Sequence, residues 1–229
     1  FKMLHEFLAD YDPQKESINS YINKNKITEL FLFFITIEKL PFHDEAVALM
    51  RNNTLDYDLL TLDQKRLLFV KTILDETALN YSNIPKGLLP FHQYKNHIST
   101  AFEEHLFEAA KYASVNGKAL LHFTISKTHL EQFESKLKAI QKLVELKTNT
   151  TFEITFSNQE STTDVLAVDL KNQPFRLNNK LLFRPSGHGA LIKNLNQIDA
   201  DIFFIKNVDN VVVSGYLDEV THYKKALAG

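Results

Sequence analysis

Cysteine is absent from the 229-residue chain, which excludes disulfides, thiol catalysis and thiolate metal sites. Tryptophan is absent too, and glycine and proline occur only six times each, so each of those residues carries more than its usual positional meaning. Neither sign of charge dominates: 26 Lys and Arg against 28 Asp and Glu leave a formal net charge of -2. That balance argues against a nucleic-acid partner, which needs a basic face to neutralise phosphates, but leaves room for a single phosphate-binding pocket. Long hydrophobic runs are also missing. The most apolar stretch, Leu30 to Ile37 (LFLFFITI), falls far short of the ~20 residues a bilayer requires, so no membrane partner is expected. No signal peptide is visible, and a cytoplasmic location is the expectation. What is present is a globular composition, 44% hydrophobic and 24% charged, which rules out wholesale disorder. The chain opens Phe1-Lys2-Met3-Leu4, already inside an amphipathic pattern, and closes on Lys224 to Gly229. It reads as an interior piece of a longer protein.

Residues 1–75 show helical periodicity. Leu4, Phe7 and Leu8 recur at helical spacing, and Ile18, Tyr21 and Ile22 supply the apolar face of a helix opened by Asp12-Pro13. Leu30 to Leu40 is apolar nearly all round, as in a buried helix. Pro41 opens a helix carrying Val47 and Met50, and Thr61 with Gln64 forms a candidate capping box for the next. The character changes after residue 76. Pro85, Gly87 and Pro90 mark a loop, Ser99 to Ala113 a helix, and Gly117 a candidate C-cap. Lys118 to Ile125 (KALLHFTI) and Phe152 to Phe156 (FEITF) read as strands on either side of an amphipathic helix, Leu130 to Leu146. Val165 to Val168 is a short apolar run, Asn172 to Lys180 a candidate hairpin, Gly189 to Leu195 a short helix and Tyr216 to Leu227 a closing helix. Ile202 to Ile205 (IFFI) has the composition of a central strand. Strands alternating with helices after residue 115 predict an α/β sandwich with a largely parallel sheet. Residues 1–75 then form a helical insertion in the domain whose core is 76–229.

Three stretches could carry chemistry. In Pro85-Lys86-Gly87-Leu88-Leu89-Pro90 a lysine is held between stiff prolines beside a glycine, which suits a phosphate group; a solvated loop lysine is the plain alternative. In Arg184-Pro185-Ser186-Gly187-His188-Gly189 two glycines precede a helix, where backbone can approach a planar base or a ribose; an ordinary strand-to-helix turn has the same residues. Asn207-Val208-Asp209-Asn210 follows IFFI, and an Asp beyond a strand end can hold a divalent cation or merely close a turn. His92, His97 and His105 fit no metal-ligand spacing and read as scattered surface histidines. His122 reads as a satisfied core or rim residue and Glu103-Glu104 as an exposed pair. No Ser-His-Asp arrangement can be argued, because GxSxG is absent.

The order of these stretches resembles the UDP-sugar pyrophosphorylases, in particular the UDP-N-acetylhexosamine pyrophosphorylases of the nucleotidyltransferase superfamily. PKGLLP resembles that family's lysine motif. Phe156-Ser157-Asn158-Gln159 is similar to its strand-then-glutamine segment, RPSGHGALIKNL to its uridine-holding P-x-G-N-G-G segment, and NVDN to its metal-binding V-D-N segment. The whole chain resembles more closely still an uncharacterised bacterial family that bears a domain-of-unknown-function label and is regarded as nucleotidyltransferase-like. PKGLLPFHQYK, TAFEEHL, LLFRPSGHGALIKNL and DADIFFIKNVDNVV carry that resemblance. It implies a three-layer, Rossmann-like sandwich of the nucleotide-diphospho-sugar transferase kind, with a mainly parallel mixed sheet.

The resemblance also implies a reaction. A sugar 1-phosphate oxygen attacks the α-phosphorus of a UTP-like nucleoside triphosphate, and pyrophosphate leaves. Lys86 and Asp209 would be catalytic, with Asp209 holding Mg²⁺. Gln159, Arg184, Gly187, His188, Gly189 and Asn210 would contact the nucleotide. The sequence departs from the pattern where His188 replaces an Asn and Ala190 a Gly, which opens the question of the base. The superfamily's GGxGTR phosphate loop is absent and is expected upstream of residue 1, so this piece alone is expected to be inactive. The alternative is a degenerate transferase that binds nucleotide or sugar without catalysis.

Overall fold

A computed structural model describes all residues, 1–229. The chain divides into two compact units, Phe1–Ala101 and Phe102–Gly229. No helix is long and apolar enough to cross a membrane.

The first unit holds five α-helices: α1 (Lys2–Asp10), α2 (Ile18–Asn25), α3 (Thr28–Thr36), α4 (His43–Asn53) and α5 (Leu62–Leu74). A short antiparallel pair, β1 (Pro90–Gln93) and β2 (Ile98–Thr100), follows. Local chemistry sets the helix starts. Ser17 caps α2 by accepting from the Ser20 N–H, so that helix begins five residues after Asp12-Pro13 rather than at it. The capping box of α5 is complete: Thr61 Oγ1 accepts from the Gln64 N–H at 3.3 Å, and Gln64 Oε1 accepts from the Thr61 N–H at 2.8 Å. Helical spacing of apolar residues then builds one core. Leu4, Phe7, Ile18, Ile22, Leu30, Phe34, Met50, Val70 and Ile73 are buried together. Phe7 sits at its aromatic centre, with ring centroids 5.0 Å from Tyr11, 5.6 Å from Tyr21 and 5.7 Å from Phe34. The all-round apolar stretch Leu30 to Leu40 is not buried all round. Leu30 and Phe34 face the core, while Phe31, Leu32 and Ile35 are about half exposed.

The second unit begins in α6 (Ala101–Tyr112) and continues through β3 (Ser114–Val115), β4 (Lys118–Ile125), α7 (Leu130–Thr148) and β5 (Thr151–Asn158). Gly117, with φ +73°, closes the β3–β4 hairpin together with Asn116; it does not cap α6, which ends at Tyr112. β4 and β5 pair in parallel along eight residues, joined by α7 as a βαβ crossover, so the strand order is β3-β4-β5. Strand alternation gives this sheet two unlike faces. Phe123 of β4 and Phe156 of β5 pack against Phe102 of α6 and Phe133 of α7, with centroids 4.8–6.3 Å apart. The opposite face carries Leu120, His122, Thr124, Glu153, Thr155 and Ser157.

Beyond β5 come four two-residue strands: β6 (Val165–Leu166), β7 (Arg176–Leu177), β8 (Lys180–Leu181) and β9 (Phe183–Arg184). β7 and β8 form the expected hairpin, turned by Asn178 and Asn179, both in the left-handed region, and β6 pairs with β9. A single helical turn, α8 (Ile192–Leu195), and the closing helix α9 (Leu217–Ala228) complete the unit. The architecture is thus mixed α/β with small sheets. IFFI, expected as a strand, has no ladder partner. Ile202, Phe203 and Ile205 are exposed, and side chains hold the segment instead: the Phe204 ring packs edge-on to Tyr112 of α6 at 5.0 Å.

Candidate functional site

The carboxyl ends of parallel strands are where open α/β sheets leave room for ligands. In the second unit those ends carry a continuous polar network. The parallel register sets His122 beside Thr155 and Thr124 beside Ser157 on one face. His122 Nδ1 lies 2.8 Å from Thr155 Oγ1, and its Nε2 lies 2.8 Å from Ser157 Oγ. Thr124 Oγ1 is 3.1 Å from the same Ser157 oxygen. Asn194 of α8 reaches in from the other side, its Nδ2 donating to Ser157 Oγ and to the Asn158 carbonyl, each at 2.9 Å.

The protons can be placed by requiring each group to be satisfied. Thr155 donates to the Leu121 carbonyl at 3.5 Å and so accepts from His122 Nδ1–H. His122 Nε2 then accepts the Ser157 proton. Asn194 and Thr124 donate to the two lone pairs of Ser157. Burial pushes the His122 imidazole below its ordinary value, consistent with this neutral form. A serine 2.8 Å from a histidine looks like a nucleophile and its base. Here the serine oxygen has no lone pair left to attack with, so the network holds segments together rather than reacting.

Asn194 pays for its place. It is only 5% exposed, and its Oδ1 is buried without a hydrogen-bond partner, an arrangement that costs about 1–3 kcal/mol. Flipping the amide would set Oδ1 against the Asn158 carbonyl, acceptor on acceptor. An exposed ion pair, Lys193 to Glu160 at 3.3 Å, ties the same short helix to the segment after β5.

A second arrangement fixes the turn that carries Asp209. The Asn210 N–H donates to the Asn207 carbonyl at 3.0 Å, closing the turn. Glu108 of α6, 1% exposed, grips both of its shoulders: one carboxylate oxygen pairs with the Lys206 ammonium, and the other accepts from the Val212 N–H at 3.0 Å. Tyr112 donates to the same carboxylate at 2.7 Å. Burial pushes the Glu108 carboxyl up, but Lys206, Tyr112 and Val212 together outweigh it and hold the group below its ordinary value. His105 donates from Nε2 to the Val208 carbonyl at 3.0 Å, and burial pushes its pKa down.

The model of a family described as Domain of unknown function (DUF4301) matches residues 1–229. The chain belongs to that family. No curated protein and no solved structure matches this DUF4301 chain.

The DUF4301 fold distributes the residues singled out by sequence as follows. Lys86 opens a 3₁₀ turn, Lys86–Leu88, behind Pro85 in the first unit. Gln159 lies one residue past β5 and donates from Nε2 to Thr163 Oγ1 at 3.1 Å; that hydroxyl in turn donates to the Glu160 carbonyl at 2.6 Å. Arg184 is exposed on β9. Gly187 precedes a 3₁₀ turn, His188–Leu191, on which His188 and Gly189 are exposed. The helix after the glycines is one turn long, too short to build a macrodipole. Neither glycine is in the left-handed region, and a Cβ at either would meet nothing within 4 Å. Nothing inside the chain therefore requires them to be glycine. Asp209 and Asn210 sit in the turn held by Glu108. No three acidic or imidazole side chains converge as a ready-made metal site. A lone Asp still fits Mg²⁺, which commonly takes one or two carboxylates and completes its shell with phosphate oxygens and water.

Residue-by-residue reading missed Asn194, Ser157 and Glu108. His122 is the satisfied rim residue expected. His105 and Glu103-Glu104, read as surface groups, are half-buried and buried respectively, with Lys136 3.6 Å from Glu103. Glu108 carried one legible signal, since it lies on the same helical face as His105 and Tyr112, three and four residues away. A groove lined by Lys142, Glu145, Leu146, Asn149, Thr150 and Thr151 lies at the start of β5, the end opposite the network.

Proposed function

We propose that this DUF4301 chain belongs to a nucleotidyltransferase-like protein that, at full length, binds a UTP-like nucleoside triphosphate and a sugar 1-phosphate and joins them with release of pyrophosphate. One observation carries the reading: Asn194 ties the glycine segment, Arg184 to Leu195, to the strand end that bears Gln159. Two stretches 25 or more residues apart, each matched separately to a nucleotide-binding motif, thus belong to one local structure. The two glycines support the same reading, because no backbone angle and no neighbour in the chain accounts for them. A ligand that needs close backbone approach would.

In this reading Gln159 offers its amide to the base, and Gly187 to Gly189 line the base and ribose. Arg184 and Asn210 are further contacts. Catalysis needs alignment and charge neutralisation more than covalent chemistry. The sugar phosphate oxygen forms its bond to the α-phosphorus as the bond to the β-phosphate oxygen breaks, and the electron pair leaves with pyrophosphate. Asp209 is the residue that would hold Mg²⁺, whose contribution is to screen repulsion between phosphates. Lys86 keeps the phosphate-neutralising role its PKGLLP segment implies. The second reading is binding without transfer, favoured by the departures from the glycine motif at His188 and Ala190.

Thermal unfolding with UTP, ATP, GTP, CTP and UDP-sugars, with and without Mg²⁺, tests the binding step. At least one should raise Tm, since ligand at 100 times Kd adds about 2.7 kcal/mol. Gly187→Val and Gly189→Val should keep the fold, having space and ordinary φ, yet lose that rise. No stabilisation of the wild-type chain by any of them would end the proposal. Pyrophosphate release separates the two readings: transfer predicts that Lys86→Ala and Asp209→Ala each lower turnover by about 10²-fold or more in the full-length protein.

A further inference from the structure

Asn194 occupies an unusual position for an amide. It is almost wholly buried, on a helix of one turn, with both Nδ2 protons committed to β5 and its Oδ1 satisfied by nothing. An apolar side chain of the same size would avoid the orphaned oxygen, so stability alone does not account for the amide. What the amide provides is direction. Its two donated bonds, to a side chain and to a main-chain carbonyl, fix the height and the rotation of α8 on the end of β5. Ser157 is itself held from the other side by His122 and Thr124. The glycine segment lies within seven residues upstream; the Lys193–Glu160 pair, which also ties α8 to the residues after β5, is exposed.

We infer that Asn194 is a positioning residue, a latch that sets where Gly187 to Gly189 stand relative to Gln159 and thereby sets nucleotide affinity. The inference rests on the nucleotide-binding reading above, but the latch also has a consequence in the ligand-free protein. Release of the amide should loosen 187–192 without unfolding the unit.

Two measurements test it on the whole chain. Asn194→Leu fills the same volume and removes the orphaned acceptor, so the fold should survive. Amide hydrogen exchange across 187–192 should then quicken at least about tenfold while exchange in β4 and β5 stays unchanged. Affinity for UTP with Mg²⁺ should weaken by about tenfold or more, since a small misplacement of binding groups carries a large penalty. Ser157→Ala, which leaves the Asn158 carbonyl as sole acceptor, should show a smaller loss in both, and it serves in place of Asn194→Leu should that variant not fold. In a Gly189→Ala background the added effect of Asn194→Leu on affinity should shrink, which a general loss of stability would not produce. Unchanged exchange at 187–192 overturns the latch whether or not nucleotide binds. Unaltered UTP affinity in Asn194→Leu overturns its role while leaving the nucleotide reading intact. Failure of the wild-type chain to bind any nucleotide removes the reading, and with it the role of the latch in affinity.

Discussion

The two units solve the problem of holding a fold together by opposite means. The first gathers most of its aromatic and aliphatic side chains into one cluster centred on Phe7, with few polar ties at its edge, such as Asp63 to the Ile18 N–H. The second has an aromatic seam under one face of a small sheet, but fixes its long loops with buried polar groups: Glu108 at the Asp209 turn and Asn194 at the glycine segment. Apolar packing is tolerant of small shifts, whereas hydrogen bonds and ion pairs specify direction. The contrast places the geometrically demanding segments, and every proposed nucleotide contact except Lys86, in the unit that uses directional bonds.

The sharpest test of the contrast is a core truncation. Phe7→Ala empties the centre of the first unit and should cost about 3–5 kcal/mol, read as a fall in the urea midpoint at unchanged slope. Hydrogen exchange should report the loss in 1–101 above all. A loss spread evenly over both units would show that they do not unfold separately. Next in size comes Glu108→Ala. It strands Lys206, only a tenth exposed, without its counter-charge and should cost about 3 kcal/mol. Its effect should concentrate in 204–213, where both shoulders of the turn lose their anchor. Glu108→Leu distinguishes charge from packing: it fills the space and still leaves the ammonium unpaired, so it should not rescue.

Acid should act in the same order. The His105 and His122 imidazoles are both held below their ordinary value of 6.5 by burial. The unfolded chain therefore takes up protons first as pH falls, so the stability these residues confer is complete above about 6.5 and is lost as pH drops through their folded values. Glu108 follows the same sign lower down, complete above its ordinary 4.5 and lost as pH falls through its depressed value. Exchange protection in the second unit should thus decline on going from pH 8 to 5. In the first unit the buried Tyr81 hydroxyl, raised by burial and by Glu45, fails in the alkaline direction instead. Equal acid sensitivity in both units would contradict the assignment of these histidines.

How far the sequence could be read follows the same divide. Helices with caps and regular apolar spacing were legible, as Thr61-Gln64 and α7 show, because both signals are local. β4 and β5 were legible from β-branched and aromatic residues. Composition failed where burial depends on a partner. IFFI and the outer face of α3 are as apolar as any core segment, yet nothing in a local pattern says whether another element will cover them. The proposed site was legible only as separate segments. GHG and FSNQ resemble motifs, but the tie between their segments is made by Asn194, a polar residue in a polar turn that resembles a solvated one. The helical face of Glu108 was legible but its role was not, since Lys206 and Val212 stand 98 and 104 positions away.

The smallest effects discriminate between exposed and buried versions of the same device. Thr61→Ala removes one half of a capping box on α5 and should cost about 1 kcal/mol. Lys193→Ala breaks an ion pair whose two side chains are 52% and 42% exposed, and should change stability by no more than about 0.5 kcal/mol, less still at high salt. The two substitutions are comparable in what they delete, one side-chain interaction at a helix end. They differ in solvent screening, and in that the cap satisfies backbone groups that the helix leaves open. A Lys193→Ala effect as large as that of Thr61→Ala would mean that the outer tie shares the load with Asn194, and the latch would then be a pair rather than one amide.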